Sequence, residues 1–329
     1  MSDGKTALIS GCTGQDGFYL AELLVSKGYD VVGIVRRTSG MENRTRLNSL
    51  PQSVRDHIVL KDGDITDTSS LVHIIKETAP HELYHLAAQS HVKVSFEQPQ
   101  YTAAVTGLGT LNVLEAVRLS DLPVRVYQAS SSEMYGKVTE SPQNENTRFT
   151  PQSPYGAAKV FAHHMCRLYR ESYGMYISCG ICFNHTSPRR GETFVTRKIS
   201  IAVARIAAGL DKSVALGNLD ALRDYGYAGD YVEAMWLMLQ QDKPDDYVIA
   251  TGVQHSVREV CQAAFSHVGL NYQDYVRVDK QFFRPAEVDM LCGDATKART
   301  RLGWSPKVSF EQLVEMMVDA DVSALKKVV

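Results

Sequence analysis

Through the first half of the chain, short apolar runs alternate with longer stretches in which apolar residues recur at every third or fourth position. The runs predict strands over residues 5–10, 30–35, 58–60, 82–86, 124–128 and 176–183. The stretches between them predict helices over 16–27, 69–77, 99–119 and 155–173. In the first of these, Tyr19, Leu20, Leu23 and Leu24 share one helical face. Strands that alternate with helices imply parallel pairing through right-handed crossovers, and so an α/β, doubly wound sheet. Beyond about residue 185 the pattern loosens. Helices are predicted near 195–209, 230–241, 256–268 and 310–320, separated by short strands and turns. The expected organisation is a sheet domain over 1–185, with some later segments returning to it, and a smaller, mostly C-terminal lobe over 186–329. No linker, repeat or low-complexity tract interrupts the chain.

Composition narrows the classes. Of 329 residues, 44% are hydrophobic and 22% charged, with a net charge of −2. No basic field exists to recruit nucleic acid or an anionic membrane, so an anionic ligand must be held by local groups. No window approaches the run of about 18 apolar residues that spans a bilayer. The start, Met-Ser-Asp-Gly-Lys, lacks the features of a signal peptide, and a cytoplasmic location is expected. Six cysteines (Cys12, Cys166, Cys179, Cys182, Cys261 and Cys292) do not form a dense disulfide framework. Cys179 and Cys182 make a C-x-x-C within a predicted strand, where residues three apart face opposite ways. No second pair completes a zinc site, so no metal is expected.

Chemistry begins where the first strand ends. Gly11-Cys-Thr-Gly14-Gln-Asp-Gly17 is a G-x-x-G-x-x-G that opens a helix. Glycines let a pyrophosphate approach the backbone, and the helix start presents free N–H groups and a positive dipole end. The pattern thus fits a Rossmann-like dinucleotide site. An NAD-preferring site offers an acid about 20 residues further on. Here the second strand runs into Arg36-Arg37, two guanidiniums suited to a 2′-phosphate, so NADP is the expected cofactor. Asp64, after the third strand, suits either the adenine amine or a turn.

Tyr155 and Lys159 form Y-x-x-x-K, which on a helix is one face. The ammonium is expected to lower the phenol's pKa and prepare it to take a hydroxyl proton. In a chain with 16 tyrosines that spacing alone is weak. Context adds to it: Tyr127-Gln-Ala-Ser130-Ser131-Ser132-Glu133-Met-Tyr135-Gly136 ends a predicted strand, where doubly wound sheets bind ligands. Glu133 goes beyond a redox set. A dehydratase must take a proton from the carbon beside a new ketone and protonate a leaving hydroxyl, and one carboxylate can do both.

Together with Leu86-Ala-Ala-Gln-Ser90, Pro151 through Lys159, Phe183 through Lys198, Gly217-Asn-Leu-Asp220, Asp230 through Trp236 and Phe283 through Asp289, these motifs make nearly the whole chain resemble the GDP-mannose 4,6-dehydratases, which are extended short-chain dehydrogenase/reductases. The resemblance implies that Ser131, Glu133 and Tyr155 are catalytic, with Lys159 holding the nicotinamide ribose and tuning Tyr155. It implies that NADP lies against Gly11, Thr13, Gly14, Gln15, Asp16, Gly17, Arg36, Asp64, Ile65, Leu86, Ala87, Ala88, Gln89, Ser90, Tyr101, His185 and Arg190. The GDP-sugar would be held by Ser90, Asn184, Val195, Lys198, Gly217, Arg223, Arg284 and Glu287. Arginine is the natural clamp for a diphosphate, and a carboxylate can accept from the guanine edge.

The implied reaction is an internal redox cycle that yields a GDP-4-keto-6-deoxy sugar and regenerates the cofactor. The chain departs from the family pattern at Ser131 (commonly Thr), Thr186 (commonly Glu) and Leu222–Tyr225, near the sugar. GDP-manno-heptose is therefore an alternative substrate to GDP-mannose. Sugar-nucleotide epimerases and reductases are remoter alternatives, expected to lack an acid at position 133. A non-catalytic NADP sensor would be expected to lose the Tyr/Lys/hydroxyl set. The family forms dimers or tetramers, and the loop over 36–46 matches the one that joins tetramers, so a homotetramer or homodimer is expected.

Overall fold

A computed structural model describes residues 4–37, 45–283, 286, 288 and 290–326. Six strands follow the predicted alternation: β1 (Thr6–Ser10), β2 (Asp30–Val35), β3 (Ile58–Asp62), β4 (Glu82–His85), β5 (Arg125–Ser131) and β6 (Ile177–Cys182). Their neighbours in sequence are helices, of which four matter here: α1 (Gln15–Ser26), α2 (Thr68–Thr78), α3 (Gly109–Ser120) and α4 (Pro154–Tyr173). All pairings are parallel, in the order β6-β5-β4-β1-β2-β3. The order reverses direction at β1, the switch point at which such sheets open a crevice beyond their carboxyl ends.

Helices cover both faces, so inner strands such as β4 and β6 are buried along their whole length. One core cluster joins α1 and the helix Ala228–Leu239 to Tyr127 and Ile181; the other joins α2, α3 and α4 to Val126 and Cys179. Cys179 and Cys182 accordingly lie in different clusters, on opposite faces of the sheet.

The helix predicted over 99–119 runs from Pro99 to Ser120 as three joined pieces, the middle one, Ala103–Leu108, wound as a π-helix. Past residue 185 the chain returns to the sheet. The strand Asp246–Ile249, which the sequence pattern does not mark, pairs parallel with β6 and makes a seventh strand. A smaller body forms around Leu222–Tyr227, which pairs with Asn184–Thr186, Gln254–Ser256 and Met290–Leu291. Its own core includes Ile199, Val203, Phe265 and Val318. Among the described residues no helix is long and apolar enough to cross a membrane.

Candidate active site

A cleft of about 1240 Å³ lies between the carboxyl ends of the strands and the smaller body. Each of the six strands contributes to it from its carboxyl end or the residues just after. Beyond β1 the Gly11–Gly17 turn leads into α1. Gly11 adopts φ +77°, and a Cβ there would lie 2.8 Å from the Ala87 amide nitrogen. At Gly17 a Cβ would meet Cys12 Cα at 2.5 Å. Only glycine lets the turn close this tightly. No side chain caps α1 at Gly14, so its first amides are left for an anion.

After β2, Arg36 lines the cleft and donates from Nη1 to the Tyr101 hydroxyl at 3.0 Å; Arg37 is exposed and lies outside the lining. After β3, Asp64 and Ile65 line the cleft, and one Asp64 oxygen accepts from the Thr66 amide (2.9 Å) and hydroxyl (2.8 Å). Asp64 therefore serves its turn and still faces the cleft. After β4, Leu86, Ala87, Ala88 and Ser90 line the wall. Gln89 does not. Its backbone N–H donates to Thr106 Oγ1 (3.1 Å), and its side-chain amide donates to the His91 carbonyl (3.1 Å). Its neighbours' side chains therefore face the ligand space while its own ties the loop together.

Beyond β6, Asn184, His185 and Arg190 line the cleft. His185 Nε2 lies 2.9 Å from Asp16 Oδ2, and its ring stacks on Tyr231. Burial alone would raise the Asp16 pKa, but His185, Gln15 and Arg190 outweigh it and bring it down to about 2.

The end of β5 and the start of α4 meet on the cleft wall. Ser153 caps α4 by accepting from the Gly156 amide at 3.0 Å, and Pro154 begins the helix, which places Tyr155 in its first turn. Lys159 follows one turn later. Ser131 hydrogen-bonds Tyr155, and its Oγ also accepts from the Glu133 amide at 3.2 Å. Glu133, Tyr155 and Lys159 are all buried and all line the cleft.

The expectation that Lys159 depresses the phenol's pKa requires correction. Burial pushes Tyr155 up to about 12, with the Ser131 hydrogen bond opposing and Glu133 adding to the rise. The ammonium instead donates to the Ala129 carbonyl at 2.6 Å, and Nζ stands 5.8 Å from the centre of the Tyr155 ring. Burial in turn pulls Lys159 down to about 8.

On the side of the smaller body, Val195, Lys198, Gly217 and Arg223 line the cleft. Lys198 donates to the Ala215 carbonyl at 2.7 Å and lies 3.8 Å over the Phe282 ring. Asn184 Oδ1 is buried without a hydrogen-bond partner, an acceptor that a ligand's hydroxyl or amine can satisfy. Arg284 and Glu287 lie outside the described residues. Sequence reasoning missed Lys93 and Phe282, which also line the cleft; Lys93 donates to the Gln281 carbonyl at 2.6 Å.

A doubly wound sheet with a serine hydroxyl, tyrosine and Y-x-x-x-K lysine at its carboxyl edge defines an extended short-chain dehydrogenase/reductase. Residues 8–317 match the family described as GDP-mannose 4,6 dehydratase, and the chain belongs to that family. It is 54% identical over 331 residues to GDP-mannose 4,6 dehydratase 1 of Arabidopsis thaliana, covering 98% of this chain and 91% of that one. The Homo sapiens GDP-mannose 4,6 dehydratase is 51% identical over 345 residues, covering 98% of this chain and 92% of its own. Among solved structures, the UDP-glucose 4-epimerase of Thermus thermophilus, in complex with NAD, superposes with a TM-score of 0.83 at 29% identity, covering 97% of this chain and 99% of that one.

Proposed function

We infer that this chain is a GDP-mannose 4,6-dehydratase that uses NADP. The observation that carries the reading is the carboxylate of Glu133 on the same cleft wall as Ser131, Tyr155 and Lys159. An epimerase or reductase needs only the last three; an elimination needs the acid as well. The curated relatives are named for GDP-mannose, so the longer heptose is not favoured.

The residues fit a dinucleotide: the glycine turn leaves room for a pyrophosphate, the start of α1 is uncapped, and Arg36 lines the cleft beyond β2. With Arg36-Arg37 and no acid at the end of β2, Arg36 favours the 2′-phosphate of NADP. A bound nicotinamide supplies the acceptor and donor for the internal hydride transfer. The protein's own groups move the protons. Burial holds the Tyr155 phenol up at about 12, and the positive charge of an oxidised nicotinamide beside it would draw it down so that it takes the proton of the sugar's 4-hydroxyl. Ser131 shares a hydrogen bond with that oxygen, and Tyr155 gives the proton back at carbon 5 when the hydride returns to carbon 6. Glu133 removes the proton at carbon 5 and delivers one to the departing 6-hydroxyl, which leaves as water. Asn184, Lys198 and Arg223 hold the nucleotide sugar.

The test is a mass-spectrometric assay with catalytic NADP. The wild type is expected to remove about 18 mass units (one water, the loss an elimination demands) from GDP-mannose. Glu133→Gln is expected to slow this by about 10²–10⁴-fold. Unchanged dehydration in that variant would remove Glu133 from its role.

A further inference from the structure

One face of α4 carries Tyr155, Lys159, His163, Cys166 and Arg170, spaced so that successive turns stack them against the sheet. A helix face that packs on a parallel sheet is ordinarily apolar. At 155 and 159 the proposed reaction accounts for the polarity. At 163 it does not, yet the imidazole is 2% exposed. A buried imidazole is costly unless its nitrogens are engaged.

Both are engaged. Nδ1 lies 2.9 Å from Ser130 Oγ, and Nε2 lies 3.6 Å from Asp246 Oδ2. Asp246 opens the seventh strand and is itself ion-paired with Arg170. At 3.6 Å the Asp246 contact is longer than a hydrogen bond and acts through charge. A carboxylate there favours the tautomer with its hydrogen on Nε2, which leaves Nδ1 to accept from the Ser130 hydroxyl. The ligand atoms of His163, Cys179 and Asp246 also lie within 4.8 Å of one another, as a metal site requires. The Arg170 guanidinium on Asp246, 4.0 Å from Cys179 Sγ, already supplies the cation there. The cluster is therefore a polar strut, hydrogen-bonded at Ser130 and set against the Asp246 carboxylate at its other end.

Its upper end bears on the catalytic wall. Ser130 sits between Ala129, whose carbonyl receives the Lys159 ammonium, and Ser131, which bonds Tyr155. We infer that His163 is a positioning residue: braced by Asp246, it holds Ser130 and thereby the stretch of β5 on which Lys159 and Ser131 depend. This rests on the dehydratase reading above. Small misplacements of reacting groups are expensive: a shift of about 1 Å can cost on the order of 10²-fold in rate.

The experiment compares His163→Phe, which keeps a ring but loses both polar contacts, with His163→Asn, whose amide can still reach Ser130. Ser130→Ala and the Phe/Ala double variant complete a cycle. In His163→Phe, kcat for GDP-mannose dehydration is expected to fall by roughly 10- to 100-fold, with KM changed less than about threefold. His163→Asn is expected to recover most of kcat, and the double variant to be no slower than the slower single one. In ¹⁵N-histidine-labelled protein, Ser130→Ala is expected to move the His163 Nδ1 resonance and leave Nε2 in place. An unchanged kcat in His163→Phe, additive losses in the cycle, or an Asn variant as slow as Phe overturns the inference. If the Phe variant does not fold, Ser130→Ala decides, and a wild-type kcat there overturns it. A wild type that yields no dehydrated product overturns the functional reading instead, before any substitution is made.

Discussion

Lys159 keeps its charge where water cannot solvate it. Burial draws its pKa from the ordinary 10.5 to about 8. In the folded chain the ammonium therefore loses its proton near pH 8, and in the unfolded chain only near 10.5. Between those values the unfolded state binds more protons, so stability rises with pH; below pH 8 the buried charge exacts its full cost, about 3 kcal/mol. Lys159→Met removes that cost together with the hydrogen bond to Ala129, worth about 1 kcal/mol plus the carbonyl left unpaired. Without added dinucleotide, the variant is expected to be more stable than wild type by at most about 1 kcal/mol at pH 7, measured by urea unfolding. The advantage should vanish by about pH 10.5, and dehydration should be lost at every pH. A variant less stable than wild type at pH 7 would mean that the charge is better compensated than its surroundings imply. Such a residue is kept for the reaction and opposes folding.

At the scale of elements, what could be read from the sequence was what local spacing encodes. The G-x-x-G-x-x-G turn, the strand ends at Arg36 and Ser131, and the Tyr155/Lys159 helix face each depend on residues within a few positions of one another. The strand Asp246–Ile249 was not legible: four residues beside Asp245 and Pro244 carry no period, and only pairing with distant β6 makes them a strand. The same non-local pairing brings Asp246 to His163 and makes the strut behind Ser130 invisible in the sequence. Lys93 escaped notice because its role depends on the smaller body folding over the β4 loop. Likewise the pKa of Tyr155 followed burial, which a spacing rule does not contain.

The β2 end carries its own prediction. Arg36→Ala removes a charged contact worth about 1.5–3 kcal/mol, so affinity for NADP should fall by roughly 10- to 100-fold. Affinity for NAD, which lacks the 2′-phosphate, should change little. Calorimetric titration with both dinucleotides checks this, and equal losses for the two would place Arg36 elsewhere than at the 2′-phosphate.

For the whole molecule, the surface opposite the core of α3 and α4 is unusually apolar. Leu108 is 50% exposed, Phe161 39% and Leu168 48%, and Leu119 and Tyr173 are also exposed. Phe161 and Leu168 are seven residues apart, two turns along one outward face of α4, and Phe161 lies beside Gly107. Large side chains gathered on adjacent helices and rimmed by charged groups such as Arg118 and Glu115 suit contact with another chain. A two-fold arrangement would bury the same face of both copies and make a four-helix contact. We propose self-association through this face as one contact of the expected homotetramer or homodimer. Because α4 also carries Tyr155, Lys159 and His163 on its inner face, the interface would stiffen the helix that positions them. Phe161→Glu with Leu168→Glu places two charges on each copy at the centre of that face. Light scattering is expected to show the wild type as at least a dimer and the double variant as a monomer at micromolar concentration. The monomer should keep its fold by circular dichroism and lose activity, since both substitutions point away from the cleft and act on it only through α4. A double variant that remains a dimer would move the interface to another surface. A monomer with full activity would leave the interface in place and sever its link to the catalytic helix.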